Sequence, residues 1–209
     1  MTRILIADDH PVVLQGLKQM LAAEDGFTVV GELRNGEEVV NVSRNLEWDI
    51  AVLDYNMPGK SGVDLVKELR QSYPKRSVLV LSMYPEERFA VRVLTAGAAG
   101  YLTKESAPAE LVTAIRRVAN GGKYVSAQLA EWFALELEGG KRPPHEKLSD
   151  REYRVMWMLA SGKAVREIAS ELHLSPNTVS TYRARILKKM CMKTTAELMH
   201  YAIRHHLVD

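Results

Sequence analysis

Short apolar runs alternate with amphipathic stretches through the first 125 residues of this 209-residue chain. Ile4-Leu5-Ile6-Ala7, Thr28-Val29-Val30-Gly31, Ile50-Ala51-Val52-Leu53, Val78-Leu79-Val80-Leu81 and Gly100-Tyr101-Leu102 have the length and character of five strands. The first, third and fourth are apolar at every position, as in strands covered on both faces. Between and after them, apolar residues recur with a helical period over about Pro11–Ala23, Gly36–Asn45, Gly62–Ser72, Glu86–Ala96 and Ala107–Asn120. Strand and helix in strict alternation predict a parallel sheet with right-handed crossovers, a five-stranded doubly wound α/β domain.

The rhythm changes after Gly121-Gly122. A short amphipathic segment, Ala127–Leu137, leads into Gly139-Gly140-Lys141-Arg142-Pro143-Pro144, whose paired glycines and prolines read as a linker. Ser149 and Glu152 then have capping-box spacing. Four helices fit the remainder, about Asp150–Ser161, Val165–Leu172, Pro176–Met190 and Thr195–His206, with no strand pattern among them. The expected organisation is an α/β domain over residues 1–123, a linker with a short helix over 124–146, and an all-α domain over 147–209.

Composition narrows the class only a little. Hydrophobic residues make up 46% and charged residues 26% of the chain, ordinary for a globular protein. Its longest apolar runs fall far short of a bilayer span, and the N-terminus turns acidic before a signal-peptide core could form. Cys191 is the only cysteine, which excludes an intrachain disulfide and a multi-cysteine zinc site. A cytoplasmic protein is expected. The net charge of +2 conceals an uneven distribution. Residues 1–125 carry 15 Lys and Arg against 16 Asp and Glu, whereas residues 145–209 carry 11 against 7. Within Pro176 to Lys193 there are five basic residues and no acid, which suggests a polyanionic partner.

Functional groups of open parallel sheets gather beyond the carboxyl ends of the strands. Asp8 and Asp9 follow the first predicted strand, Asp54 the third and Ser82 the fourth, and Lys104 lies two residues past the fifth. Each has a plain alternative. Asp8 and Asp9 can open a helix at Pro11, Asp54 can form an Asx turn, Ser82 can be a turn hydroxyl, and Lys104 a solvated charge. Their coincidence at four strand ends favours a site. Three neighbouring carboxylates resist joint ionisation, and a hard divalent cation resolves the conflict; Mg²⁺ suits few carboxylates plus waters. Phosphoryl transfer needs positioning and charge neutralisation, so Asp54 can serve as nucleophile, with Lys104 and Ser82 on the phosphoryl oxygens.

The stretches IADDHP, LDYNMPG, VLS and GYLTK make residues 1–125 resemble the receiver domains of response regulators, with their flavodoxin-like fold. The resemblance implies that Asp54 is the phosphoacceptor and that Asp9 binds Mg²⁺ directly, with Asp8 acting mainly through water. It implies the backbone carbonyl of Asn56 as a further ligand, Ser82 and Lys104 as phosphoryl contacts, and Tyr101 as a switch aromatic. One position departs: many receivers have proline after the lysine, in a cis peptide, and here Glu105 follows Lys104.

In the second domain, Ile168, Ala169 and Leu172 share a helix face, Leu174 falls in a turn, and Ser175-Pro176 supply an N-cap and a first helical residue. Val179, Ile186 and Met190 make an apolar stripe on the next helix, leaving Ser180, Thr181, Arg183, Ala184, Arg185 and Lys188 on or near its outer faces. Insertion into a major groove requires such a helix; a helical hairpin of no such role is the alternative. LSDRE, REIASELHLSPNTVSTY and KTTAELMHYA make residues 148–208 similar to the LuxR-type helix-turn-helix of the NarL/FixJ response regulators. Double-stranded DNA contacts are then expected from Ser175, Asn177, Thr178, Ser180, Thr181, Arg183, Arg185 and Lys188. Ser180 and Tyr182 stand where the family commonly has Lys and His.

The two resemblances together imply a phosphorylation-dependent transcription regulator, not an enzyme. A sensor histidine kinase would donate the phosphoryl group, and phosphorylation would favour a homodimer on DNA. One rival is a phosphatase or phosphotransferase working through an aspartyl phosphate. Against it, Asn56 stands where such chemistry wants a second Asp, and no Walker or GxGxxG loop is present. The other rival is a DNA binder whose first domain only dimerises.

Overall fold

The structure, a computed structural model, describes residues 1–60, 62–127, 129–130, 143–205 and 207–208. The chain divides into two compact units, Met1–Glu138 and Gly139–Asp209.

In the first unit, β1 (Thr2–Ala7), β2 (Phe27–Leu33), β3 (Ile50–Asp54), β4 (Ser77–Ser82) and β5 (Gly100–Thr103) form one sheet in the order β2-β1-β3-β4-β5. Every neighbouring pair is parallel. The helices between and after the strands are α1 (Pro11–Ala22), α2 (Gly36–Val42), α3 (Gly62–Ser72), α4 (Glu86–Thr95) and α5 (Ala107–Ala119). All five residues of β3 are buried, because a central strand with helices on both sides has no wet face. Alternate side chains divide between the two layers. Ile4 and Ile6, Ile50 and Val52, and Leu79 and Leu81 join Leu14, Leu17, Leu21, Leu111 and Ile115 of α1 and α5 in one core cluster.

The predicted second strand was too short. β2 runs from Phe27 to Leu33, and most of its side chains are only half-buried, so a run of apolar residues does not mark its ends. Its pairing with β1 slips by one residue: Ile4 faces Val29 and Leu5 faces Gly31, leaving Val30 as the extra residue of a bulge. A Cβ on Gly31 would lie 2.7 Å from Leu5 Cδ1, so glycine permits the close approach. On the opposite edge, the Tyr124 N–H donates to the Ala99 carbonyl at 2.8 Å and Tyr124 bridges to Gly100, so sheet pairing continues past Lys123.

The second unit contains a single 3₁₀ turn (Pro144–Lys147), then α6 (Asp150–Ala160), α7 (Val165–Glu171), α8 (Pro176–Lys189) and α9 (Thr195–Arg204). Met156, Ile168, Val179, Ile186 and Leu198 are fully buried and form its centre. The predicted capping box is present: Ser149 Oγ accepts from the Glu152 N–H at 3.4 Å, and Glu152 Oε2 accepts from the Ser149 N–H at 2.8 Å. Of the predicted Ala127–Leu137 segment, residues 127 and 129–130 are helical; the rest of it and most of the glycine-proline linker lie outside the described residues. No helix among the described residues is long and apolar enough to cross a membrane.

α8 ends in a left-handed residue. Cys191 is exposed at φ +56°, while the N–H groups of Cys191 and Met192 cap Lys188 and Leu187. A side chain in this region strains the backbone where glycine would not. Cys191→Gly is therefore expected to stabilise the helical domain by about 0.5–1 kcal/mol, read from its urea midpoint.

Candidate functional site

The strand order puts β1, β3 and β4 side by side, so their carboxyl ends meet at one edge of the sheet. Asp8 follows β1, Asp54 is the last residue of β3 and Ser82 the last of β4. Asp8, Asp54 and Ser82 are almost wholly buried, at 0%, 3% and 1% exposure. Lys104 follows β5 and reaches back across the ends. Its Nζ lies 2.6 Å from Asp8 Oδ2 and 3.2 Å from Asp54 Oδ1. Its backbone N–H donates to the Ser82 carbonyl at 2.7 Å, which ties the lysine to the serine strand. Four predicted residues from four strands are thus brought to one place.

The electrostatics are unbalanced. Burial pushes the Asp54 carboxyl up to about 6; Lys104 opposes the rise, the Asp8 charge adds to it, and the Asn56 N–H, bonded to the carboxylate, opposes it again. Asp54 Oδ2 is buried and accepts no hydrogen bond. Ligand-capable atoms of Asp8, Asp9, His10 and Asp54 lie within 4.8 Å of one another. An acidic cluster with a desolvated, unbonded oxygen fits a cation with oxygen ligands.

Ser82 Oγ accepts from the Tyr84 N–H at 3.0 Å. Tyr101 is fully buried and its hydroxyl donates to the Tyr84 carbonyl at 2.9 Å, so the aromatic predicted as a switch points inward beside Ser82. Burial holds its phenol well above the ordinary range, with a hydrogen bond from Ser82 opposing the shift. The Tyr84 ring stacks on Phe89 at 4.7 Å and meets Tyr55 edge-on at 5.9 Å. A pocket of about 440 Å³ opens outward from Ser82 between the β4–α4 and β5–α5 loops, with Met83, Thr103 and Glu105 among its walls. No cis peptide occurs among the described residues, and the Lys104–Glu105 bond is trans.

In the helical unit, the Ser175 hydroxyl accepts from the Thr178 N–H at 3.1 Å and Pro176 opens α8. Val179, Ile186 and Met190 are buried as the stripe predicted, which leaves Asn177, Thr181, Ala184 and Lys188 on the opposite face. Ser175, Asn177, Ser180, Thr181, Arg183, Arg185 and Lys188 are exposed; Thr178 is half-buried, its hydroxyl 2.8 Å from that of Ser175. Tyr182 is half-buried. Arg185 flanks this outer face, whereas Arg183, four residues after Val179 and three before Ile186, is exposed at the border of the buried stripe.

Two groups escaped the sequence reading. His10 joins the acidic cluster, and only its place after two aspartates hinted at it. Lys189, counted among the basic run, is tied to the buried Glu152 at 2.6 Å. Burial alone would push the Glu152 carboxyl up; hydrogen bonds from Lys189 and Ser149 outweigh it and hold the group below the usual carboxylate range.

Comparison with known proteins agrees with both halves. The response regulator receiver domain family matches residues 4–116, and the luxR family of bacterial regulatory proteins matches residues 146–202. Response regulator GacA of Pseudomonas viridiflava is 40% identical over all of this chain and 99% of its own length. Response regulator UvrY of Escherichia coli K12 is 38% identical over all of this chain and 97% of its own length. Among solved structures, RcsB from Salmonella enterica serovar Typhimurium, bound to promoter rprA in the presence of phosphomimetic BeF3-, has a TM-score of 0.65 at 28% identity, covering 96% of this chain and 98% of that one. With both families matched in this order along one chain, the protein belongs to the two-component response regulators of the NarL/FixJ family, which join a receiver domain to a LuxR-type DNA-binding domain.

Proposed function

We propose that Asp54 accepts a phosphoryl group from a sensor histidine kinase and that the modification controls DNA binding and dimerisation by the C-terminal domain. The observation that carries this reading is Asp54 Oδ2: a buried carboxylate oxygen without a hydrogen bond, in a carboxyl that burial pushes up to about 6. An oxygen so poorly solvated is favoured to react or to bind a cation. In the transfer, an Asp54 oxygen forms the bond to phosphorus as the kinase's phosphoimidazole N–P bond breaks. Lys104, already within 3.2 Å of Asp54, clamps a phosphoryl oxygen, and Ser82 donates to another. Bound Mg²⁺ supplies charge neutralisation; Asp9, Asp54 and the Asn56 carbonyl would hold it, with Asp8 acting mainly through water. Donating to a phosphoryl oxygen withdraws the Ser82 proton from Tyr101, and Ser82 also accepts from Tyr84, whose carbonyl holds Tyr101, so the change reaches the outer pocket through three linked groups.

The receiver domain spans residues 1–123, the linker 124–146 and the DNA-binding domain 147–209. On double-stranded DNA, α8 enters the major groove. Ser175, Asn177, Thr178, Ser180 and Thr181 meet the duplex at its N-terminal half, while Arg183, Arg185 and Lys188 contact phosphates. The phosphorylated protein acts as a homodimer on paired half-sites, and the protein works in the cytoplasm.

Intact mass after incubation with Mg²⁺ and acetyl phosphate tests the proposal. One added phosphoryl group is expected, lost with EDTA and absent from Asp54→Ala. An unmodified wild type that also fails to bind beryllofluoride would leave a DNA binder controlled without phosphorylation.

A further inference from the structure

His10 takes no part in the function proposed above, yet its imidazole is built into the acidic site. Its Nδ1 stands 2.9 Å from Asp9 Oδ1 and 3.1 Å from Asp8 Oδ1. The backbone fixes it there: the His10 N–H donates to Asp8 Oδ1 at 2.9 Å, and its carbonyl accepts from the N–H groups of Val13 and Leu14 at the start of α1. The side chain caps nothing and is 65% exposed, so the ring can turn without disturbing the core. Behind it, Asp54 Oδ2 is buried without a hydrogen bond, in a group whose ligand-capable atoms lie within 4.8 Å of one another.

Three carboxylates and one imidazole are a mixed oxygen and nitrogen donor set. Mg²⁺ prefers oxygen ligands and keeps several waters, whereas imidazole suits Zn²⁺ and similar borderline ions. A cation held by Asp8 and Asp9 competes with His10 Nδ1 for the Oδ1 atoms it contacts on both. The ring then either turns away or becomes a ligand itself. We infer that His10 is a selectivity-determining residue of the acidic site, where its imidazole joins the carboxylates around Zn²⁺ and is turned out by Mg²⁺. This rests on reading the acidic cluster as the receiver's cation site.

The test uses tag-free full-length protein, titrated calorimetrically with Zn²⁺ and with Mg²⁺. In His10→Ala the ratio of Zn²⁺ to Mg²⁺ affinity is expected to fall by at least about tenfold. Asp9→Ala subtracts zinc bound elsewhere, including at His145 and His205, whose rings lie 6.2 Å apart. In ¹⁵N spectra of the imidazoles, the His10 ring nitrogens should shift on adding Zn²⁺ in the manner of a direct ligand and not on adding Mg²⁺. An unchanged ratio, or a His10 ring indifferent to Zn²⁺, overturns the assignment and leaves the cation site standing. Failure of the wild type to bind either ion, or binding that survives Asp9→Ala in full, overturns both.

Discussion

Asp54→Asn should make the metal-free protein more stable at neutral pH by about 2–3 kcal/mol, because an upward shift of about two pK units corresponds to that much. The sign follows from the direction. A carboxyl whose folded pKa is raised to about 6 holds its proton more tightly when folded than when unfolded. Its charge therefore costs stability progressively as pH rises from the ordinary carboxylate range near 4 through about 6. The asparagine has no such charge, and its amide oxygen can keep the place beside Lys104. Asp8 remains paired with Lys104 at 2.6 Å, so no cation is stranded. The gain should vanish below pH 4 and reach its plateau above pH 6 to 7, as measured by urea unfolding in EDTA across that range. Saturating Mg²⁺ should narrow it, because the ion stabilises the wild type by binding the folded state. A variant no more stable than wild type at pH 7 would mean that Asp54 is better solvated or better paired than its burial indicates.

The second large effect lies at Gly36, the first residue of α2. A Cβ there would sit 1.5 Å from the Lys60 carbonyl oxygen and 2.6 Å from its carbon. These are backbone atoms, so no side-chain rotation relieves the overlap. The same loop accepts the Gly36 N–H on the Pro58 carbonyl at 3.2 Å, and it follows directly on Asp54 and Asn56. Gly36→Ala is expected to destabilise the receiver by about 3 kcal/mol, at the upper end for overpacking. Because the loop must move, acetyl phosphate labelling of Asp54 should slow as well. Gly16→Ala, inside α1 where a Cβ meets nothing within 4 Å, is the control: it should leave labelling unchanged and stabilise the receiver by about 0.5–1 kcal/mol, since alanine is the better helix former.

Both effects show what could be read from the sequence. The central strands were legible because burial on both faces demands apolar residues throughout, and β3 is buried at every position. Asp54, Ser82 and Lys104 were legible because polar side chains at the ends of such strands are conspicuous. β2 was legible only in its middle, since its half-exposed side chains obey a weaker rule and its bulge depends on the contact between Leu5 and Gly31. Capping spacing revealed one half of what Glu152 does. The other half, its bond to Lys189, joins residues 37 apart, and no local pattern records it. Gly36 was equally silent, because nothing in a sequence states that another segment's carbonyl passes where a methyl group would stand. His10 was missed because an exposed loop histidine has no periodicity to betray it.

Glu152 holds two helix ends with one carboxylate. Its Oε2 accepts from the Ser149 N–H at the start of α6 and from Lys189 Nζ at the end of α8. Fraying at either end removes a partner from the other, so the two termini are thermodynamically linked although they are distant in sequence. Opening should then proceed as one cooperative event, and amide exchange at both ends should share a single opening free energy. The last turn of α8 consequently inherits its rigidity from the first turn of α6.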